Sequence, residues 1–118
     1  MRIMLVDDAS FMRMTIKQIV EADGHKVVGE AATGAEALET YRACKPDMVL
    51  MDITMPEVNG IEGVKLIKEY DKDATIIMVS AMGQQEMVVQ AIQAGARSFI
   101  VKPFKPEKII EIINNYKK

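Results

Sequence analysis

The chain has 118 residues, of which 49 % are apolar, a formal charge of −2 and a single cysteine, Cys44. These values predict one compact domain over residues 1–118 without an output domain, and they exclude an internal disulfide and the basic stripe of a nucleic-acid-binding protein. Since no signal peptide is recognisable and no apolar run reaches the roughly 20 residues of a membrane helix, we expect a soluble protein of the cytoplasm.

The chain begins with a predicted strand, an acidic turn and a helix. Residues 3–6 form a short apolar run that stops at Asp7 and Asp8. An amphipathic helix is predicted over residues 11–22, with Ser10 as its N-cap and an end at Asp23-Gly24. Its apolar positions are Phe11, Met14, Ile16, Ile19 and Val20.

The next unit is a weaker strand followed by a second helix. Polar residues interrupt the strand at residues 27–31, which we therefore expect near an edge of the sheet. His25, in the loop before it, is expected to be an exposed structural residue. The helix over residues 34–43 is predicted to place Ala37, Leu38 and Tyr41 inward and to end before Lys45-Pro46. Cys44 is interpreted as a small packing residue and Met4, Met14, Met48 and Met78 as core residues.

The third strand ends in the acid around which the sequence is organised. Residues 48–51 are apolar, Asp52 follows them, and a Met-Pro turn comes next. Ligands of open α/β sheets bind outside the carboxyl ends of the strands, so Asp52 lies where chemistry is expected. On this segment alone, Asp52 could equally open a loop or cap a turn before Pro56.

The second half repeats the alternation of strand and helix. A third helix follows Asn59-Gly60 and carries Ile61, Val64, Ile67 and Tyr70 on one face. Strands are predicted over residues 75–80 and 98–101, the first ending at Ser80 and the second followed by Lys102 and Pro103. The helices that follow them span residues 84–94 and 106–116.

Five strands that alternate with five helices predict an α/β fold with a parallel sheet covered on both faces, a doubly wound three-layer sandwich. All carboxyl ends of the strands then lie along one edge. This edge gathers Asp7, Asp8, Asp52, Ser80 and Lys102. Four strand ends with reactive side chains are hard to explain by turn chemistry alone.

The gathered side chains suit phosphoryl chemistry. Three neighbouring carboxylates repel one another, and a divalent ion with oxygen ligands, such as Mg²⁺, relieves the repulsion. Lys102 and Ser80 offer a charge and a hydroxyl to phosphoryl oxygens. A carboxylate can itself be the nucleophile, and Asp52 is the best candidate because it is central among the strands.

These residues carry a family resemblance. The chain resembles, along its whole length, the receiver domain of two-component response regulators in Asp7-Asp8, the Asp52-x-x-Met55-Pro56-x-x-x-Gly60 block, Ser80-Ala81 and Lys102-Pro103. The resemblance, and not the spacing of the strands in the sequence, implies a flavodoxin-like fold with strand order 2-1-3-4-5, the order of the chemotaxis receivers.

The resemblance also implies residue roles. Asp52 would accept a phosphoryl group from a histidine kinase. Mg²⁺ (or Mn²⁺) would be held by Asp8, Asp52 and the backbone carbonyl of Thr54, and by Asp7 through water. Ser80, Phe99 and Lys102 would form the switch, and the peptide bond before Pro103 is expected to be cis. From periodicity alone, Phe99 could equally be a core residue. Beyond self-phosphorylation and slow autodephosphorylation, no enzymatic activity is expected.

Residues 8–13 and 80–85 are similar, more narrowly, to those of stand-alone chemotaxis receivers of the CheY type. This implies a monomer whose surface of helix four, strand five and helix five binds a flagellar switch protein or an archaeal motility adaptor after phosphorylation, and it allows a phosphatase as a further partner. Two departures are Ser80, where many receivers carry threonine, and Phe99, where many chemotaxis receivers carry tyrosine.

Several alternatives stay open. A flavodoxin-type cofactor binder shares the fold, but its phosphate loop is rich in hydroxyls and glycine, whereas this loop is acidic. A phosphatase with an aspartate nucleophile usually places its acids two residues apart, whereas Asp7 and Asp8 are adjacent. The closer alternatives are a receiver of a longer DNA-binding regulator and an intermediate of a phosphorelay.

Overall fold

The computed structural model describes residues 1–53 and 59–116. Strands and helices alternate along the whole described chain. The strands are β1 (Arg2–Val6), β2 (Lys26–Ala31), β3 (Met48–Asp52), β4 (Ile76–Ala81) and β5 (Ser98–Lys102). The helices are α1 (Ser10–Ala22), α2 (Gly34–Cys44), α3 (Gly60–Tyr70), α4 (Gln85–Ala94) and α5 (Pro106–Asn115).

The strands form one parallel sheet in the order β2-β1-β3-β4-β5. Both the doubly wound fold and this strand order are therefore confirmed. β2 lies at an edge, as its interrupted pattern predicted, and like the other edge strand, β5, it has a single buried residue. β3 lies at the centre and all five of its residues are buried.

Two hydrophobic cores lie on opposite faces of the sheet because successive strand residues point to opposite sides. Met4, Met51 and Met78 belong to the core covered by α2, α3 and α4. Leu5, Leu50 and Ile100 belong to the core covered by α1 and α5. The described part of the chain is thus a three-layer sandwich whose sheet is held from both sides.

Side-chain caps begin two of the helices. The Thr33 hydroxyl accepts a hydrogen bond from the Glu36 N–H at 3.1 Å, and the Asn59 side chain accepts one from the Glu62 N–H at 3.1 Å. The prediction for α1 was wrong in detail. Ser10 is its first helical residue, and the N-cap is Ala9, whose side chain makes no capping hydrogen bond.

Three apolar side chains that the periodicity placed inward are exposed. On α1, Phe11 is 77 % exposed and Met14 is 57 % exposed. At 100° a residue, both lie about 140° to 160° around the helix from the buried Ile16, so they face away from the sheet. On α3, Tyr70 is half exposed because it is the last helical residue, and its ring lies against the edge of Tyr41.

The expectation for His25 was wrong. The residue is buried, with 7 % of its surface exposed. Gly24 has a positive φ of 89°, and the His25 N–H donates to the Val20 carbonyl at 3.1 Å, so the chain folds back beneath the end of α1. Cys44 behaves as predicted, since it is partly buried and packs against the core below α2.

None of the helices in the described ranges is both long enough and apolar enough to span a bilayer.

Candidate functional site

The register of the strands places the candidate residues at one edge of the sheet. Val6 pairs with Met51, so Asp7, the residue after Val6, lies level with Asp52. Asp52 pairs with Val79 on β4, and Ser80 follows directly. On β5, Lys102 pairs with Ala81. The carboxyl ends of four neighbouring strands therefore meet, as the sequence predicted.

Three carboxylates form the centre of this edge. One oxygen from each of Asp7, Asp8 and Asp52 lies within 4.8 Å of the others, close enough to bind a single metal ion. Asp7 and Asp52 are buried, whereas Asp8 is exposed. The group thus has an inner wall of two carboxylates and an outer one that faces solvent.

The polar groups of Asp7 have fixed partners except one oxygen. Its Oδ1 accepts a hydrogen bond from the Ala9 N–H at 2.8 Å. Its Oδ2 is buried and accepts no hydrogen bond from any residue in the described ranges. The Lys102 Nζ lies 3.6 Å from Oδ2, beyond hydrogen-bond distance. Because a buried carboxylate oxygen normally has a hydrogen-bond donor, Oδ2 fits a position next to a bound cation or its water.

Lys102 provides the positive charge of the site. Its Nζ lies 3.4 Å from Oδ1 of Asp52 and 3.6 Å from Oδ2 of Asp7. The ammonium is thus shared between the two buried acids and neutralises neither fully.

The electrostatics of Asp52 show the excess of negative charge. Burial and the neighbouring Asp7 carboxylate raise the pKa of Asp52 to about 6, against the lowering effect of Lys102, and Asp8 adds to the rise. A divalent cation among the three acids would remove this repulsion, and a hard ion such as Mg²⁺ prefers carboxylate oxygens. The residues therefore fit such an ion. Thr54, whose backbone carbonyl was predicted as a further ligand, lies outside the described residues, as do Met55 and Pro56 of the motif.

Ser80 and Phe99 line a separate apolar pocket beside the acids. Ser80 is buried at the end of β4, while Phe99 on β5 is 44 % exposed, so Phe99 is not the plain core residue that periodicity allowed. The two residues share a pocket of about 390 Å³ with Met82, Val88 and Val101. Phe99 thus borders an open pocket next to Ser80. The Lys102–Pro103 peptide bond is cis, the isomer expected from the sequence.

Gly60 packs against the backbone of Asp52, a role that the sequence analysis did not identify. A Cβ atom at Gly60 would lie 2.3 Å from the Asp52 carbonyl oxygen and 2.8 Å from the Ile53 Cα. The Gly60 N–H also donates to the Ile53 carbonyl at 2.7 Å. The start of α3 therefore packs directly against the backbone of the central acid, which requires a residue without a side chain.

Comparison with known proteins finds one family over nearly the whole chain. The family model of the response regulator receiver domain matches residues 3–114. The chemotaxis protein CheY of Thermotoga maritima is 55 % identical over 117 residues, which cover 99 % of this chain and 98 % of the relative. The chemotaxis protein CheY of Bacillus subtilis is 58 % identical over 113 residues, which cover 96 % of this chain and 94 % of the relative.

A solved structure shows the same fold. A chain from the crystallised complex of CheX, CheY, BeF₃ and Mg²⁺ of Borrelia burgdorferi aligns with a TM-score of 0.92 and 35 % sequence identity. The alignment covers 99 % of this chain and 90 % of that chain.

Proposed function

The chain belongs to the response regulator receiver domain family, and we propose that it is a stand-alone chemotaxis regulator that is activated when Asp52 accepts a phosphoryl group. The family is one of signalling proteins rather than enzymes with turnover. The match to nearly the whole length of CheY proteins supports the stand-alone form, and with it a single functional domain in the cytoplasm.

One observation carries the proposed chemistry. Asp52 is buried at the centre of the site, with two further carboxylates on one side and the ammonium of Lys102 at 3.4 Å. The proposed cation, Mg²⁺ or Mn²⁺, would be held by Asp7, Asp8, Asp52 and the Thr54 carbonyl, and it would neutralise charge on the phosphoryl donor. Asp52 acts as the nucleophile, and Lys102 moves from the carboxylates to the incoming phosphoryl oxygens.

The proposed switch connects this site to a partner surface. Phosphorylation adds close to two negative charges beside Ser80. The Ser80 hydroxyl turns to a phosphoryl oxygen, and Phe99 moves into the pocket that it shares with Ser80. The changed surface includes the exposed Val89 on α4 and Val101 on β5, and it continues onto α5.

The proposed partners follow from the relatives. A histidine kinase supplies the phosphoryl group, and the activated surface binds a flagellar switch protein or an archaeal motility adaptor. The Borrelia relative was crystallised with CheX, so a further protein partner fits the same proposal. A phosphatase is also a proposed partner. A role as the receiver of a phosphorelay, or of a longer DNA-binding regulator, is the alternative.

Mass spectrometry of the intact protein tests the acceptor. The chain is incubated with acetyl phosphate, with and without Mg²⁺, as wild type, Asp52→Asn and Asp73→Asn. We expect wild type and Asp73→Asn to gain one phosphoryl group in the presence of Mg²⁺ and Asp52→Asn to gain none. Asp73 is an exposed acid outside the site, so its variant controls for unspecific labelling. Equal labelling of Asp52→Asn would assign the acceptor to another residue.

A further inference from the structure

Arg13 on α1 contacts the acidic site without reaching its carboxylates. Its Nη1 donates a hydrogen bond to the main-chain carbonyl of Asp7. Its Nε donates to the Glu30 carboxylate at 3.0 Å, on the edge strand β2. The Arg13 side chain is 19 % exposed, so this guanidinium is mostly packed between α1 and β2. One planar group therefore joins three elements at the point where β1 ends.

The hydrogen bond from Arg13 adds to two others that hold Asp7 in place. The Asp7 N–H donates to the Ala31 carbonyl at 3.0 Å, and Oδ1 accepts from the Ala9 N–H at 2.8 Å. With the carbonyl held by Arg13, the remaining polar atom of Asp7 is Oδ2, which accepts no hydrogen bond within the described ranges and lies 3.6 Å from the Lys102 ammonium. Every other polar group of Asp7 is bound by the protein, so the direction of Oδ2 is set before any cation arrives.

Glu30 holds Arg13 in turn. Glu30 pairs in register with Leu5 of β1, so its carboxylate stands on the strand beside the one that carries Asp7. A guanidinium can serve both a carboxylate and a carbonyl because its donors form a rigid fork, whereas an ammonium is a single point. This geometry explains why an arginine, rather than a lysine, stands here.

We propose that Arg13 is a positioning residue of the cation site, which fixes the Asp7 carbonyl, and with it the peptide bond to Asp8, for a divalent ion and is itself oriented by Glu30. The inference rests on the proposed function, in which these carboxylates bind such an ion. The positional effect of Arg13 on Mg²⁺ affinity is opposite in sign to the effect of its charge. Arg13 is a cation near three acids, and its positive charge by itself weakens the binding of Mg²⁺.

Geometry and charge therefore predict opposite results for the removal of Arg13. If Arg13 acts through charge alone, Arg13→Ala tightens Mg²⁺ binding. If Arg13 positions Asp7, Arg13→Ala weakens it, because the loop after β1 is then free to separate the acids. Loss of residues that orient metal ligands typically costs about 10-fold to 100-fold in metal affinity, and we expect about 10-fold here.

Calorimetric titration with Mg²⁺, and with Mn²⁺ as a second ion, measures this directly. The proteins are wild type, Arg13→Ala, Arg13→Lys and the matched control Lys17→Ala, which removes one positive charge from the same helix. We expect weaker binding for Arg13→Ala, an intermediate loss for Arg13→Lys, and unchanged or slightly tighter binding for Lys17→Ala. Mg²⁺ binding to Arg13→Ala as tight as to wild type, or tighter, overturns the proposal.

Substitution of Glu30 tests whether this residue acts on the cation site through Arg13. Glu30→Ala is expected to weaken Mg²⁺ binding about 3-fold in the wild-type background, a smaller loss than that of Arg13→Ala because the Asp7 contact survives. In the Arg13→Ala background it is expected to have no further effect, since Glu30 acts through Arg13. Additive losses would mean that Glu30 acts on the cation site independently, which contradicts the proposal.

Phosphorylation kinetics separate positioning from loss of folding. Thermal unfolding in EDTA first establishes that each variant is folded at the assay temperature, and Arg13→Lys and Glu30→Ala carry the test if Arg13→Ala is not. With acetyl phosphate, the Mg²⁺ concentration for half-maximal rate should rise in Arg13→Ala, while the rate at saturating Mg²⁺ stays near that of wild type. A lower saturating rate with an unchanged Mg²⁺ requirement contradicts positioning. If wild type itself binds no Mg²⁺, the proposed function fails, not the role of Arg13 alone.

Discussion

At the scale of single residues, the main feature of the site is that Asp52 is destabilised in its ionised form. It is 7 % exposed and lies beside Asp7, and its pKa is raised to about 6 by burial and by that neighbour. The folded protein therefore binds the Asp52 proton more tightly than the unfolded chain does. Stability from this group is present at low pH and is lost as the pH rises from about 4 through about 6.

We predict that Asp52→Asn stabilises the metal-free protein at pH values near 8. The variant removes a buried negative charge while keeping the shape, and the expected gain in unfolding free energy is on the order of 2 kcal/mol. Urea denaturation in EDTA from about pH 4.5 to 8 measures it. The difference between variant and wild type should be large at high pH and shrink toward the acid end.

Mg²⁺ supplies the control for this prediction. An added divalent ion should stabilise wild type more than Asp52→Asn, because the amide is a weaker ligand than the carboxylate. A stability difference that does not depend on pH, or an equal effect of Mg²⁺ on both proteins, would show that the fold does not disfavour the ionised form of Asp52.

At the scale of elements, the site depends on how closely α3 approaches β3. We predict that Gly60→Ala destabilises the protein by about 2 to 3 kcal/mol and slows phosphorylation, since the new Cβ meets the backbone of Asp52 and Ile53, which cannot rotate away. Chemical denaturation and the rate of labelling by acetyl phosphate are the two measurements.

Gly63→Ala is the matched control on the same helix. Its Cβ would lie 2.8 Å from the Met51 sulfur, the flexible end of a side chain that can move. Since alanine also favours the helix by about 1 kcal/mol over glycine, we expect a nearly neutral effect on stability and normal phosphorylation. Comparable losses of stability and phosphorylation rate in the two variants would mean that the site does not depend on the close approach of α3 to Asp52.

The elements themselves could be predicted from the sequence because the pattern of a parallel sheet is strong. Apolar runs such as residues 48–51 end abruptly at charged residues, and each is followed by a segment of helical periodicity. Helix faces were less certain. The pattern counted Phe11 and Met14 of α1 as apolar positions, although they lie opposite Ile16 and face away from the sheet. Hydrophobicity shows which residues can be buried, whereas the strand underneath decides which are.

The contacts between elements could not be predicted. His25 was expected to be exposed because it lies in a loop, yet a backbone hydrogen bond to Val20 folds it under α1. The ion pair of Arg13 with Glu30 joins α1 to the edge strand across 17 positions of sequence. Such pairings join segments that are distant in sequence, and a local pattern does not show which of them meet. The strand ends were predictable because the fold class alone brings them together.

At the scale of the whole molecule, the acids and the proposed partner surface are connected through β4 and β5. Ser80 follows the β4 residue that pairs with Asp52, and Phe99 and Val101 lie on the neighbouring strand. The pocket between them opens to solvent beside Met82, which is 76 % exposed. A ligand can drive such a switch only through unequal affinity for the two states, and the proposed phosphoryl group beside Ser80 would provide that difference.

The absence of tryptophan from the sequence makes this coupling measurable. We predict that Phe99→Trp gives a fluorescence signal that shifts to shorter wavelength on addition of acetyl phosphate and Mg²⁺, because the indole moves from a half-exposed position into the pocket beside Ser80. Tyr70→Trp, at a half-exposed position on α3, is the matched reporter outside the switch and should not respond. In Asp52→Asn, the Phe99→Trp signal should also stay constant. A shift of equal size at Tyr70→Trp would indicate a rearrangement of the whole fold. If Phe99→Trp shows no shift although its mass shows phosphorylation, then phosphorylation of Asp52 does not move Phe99.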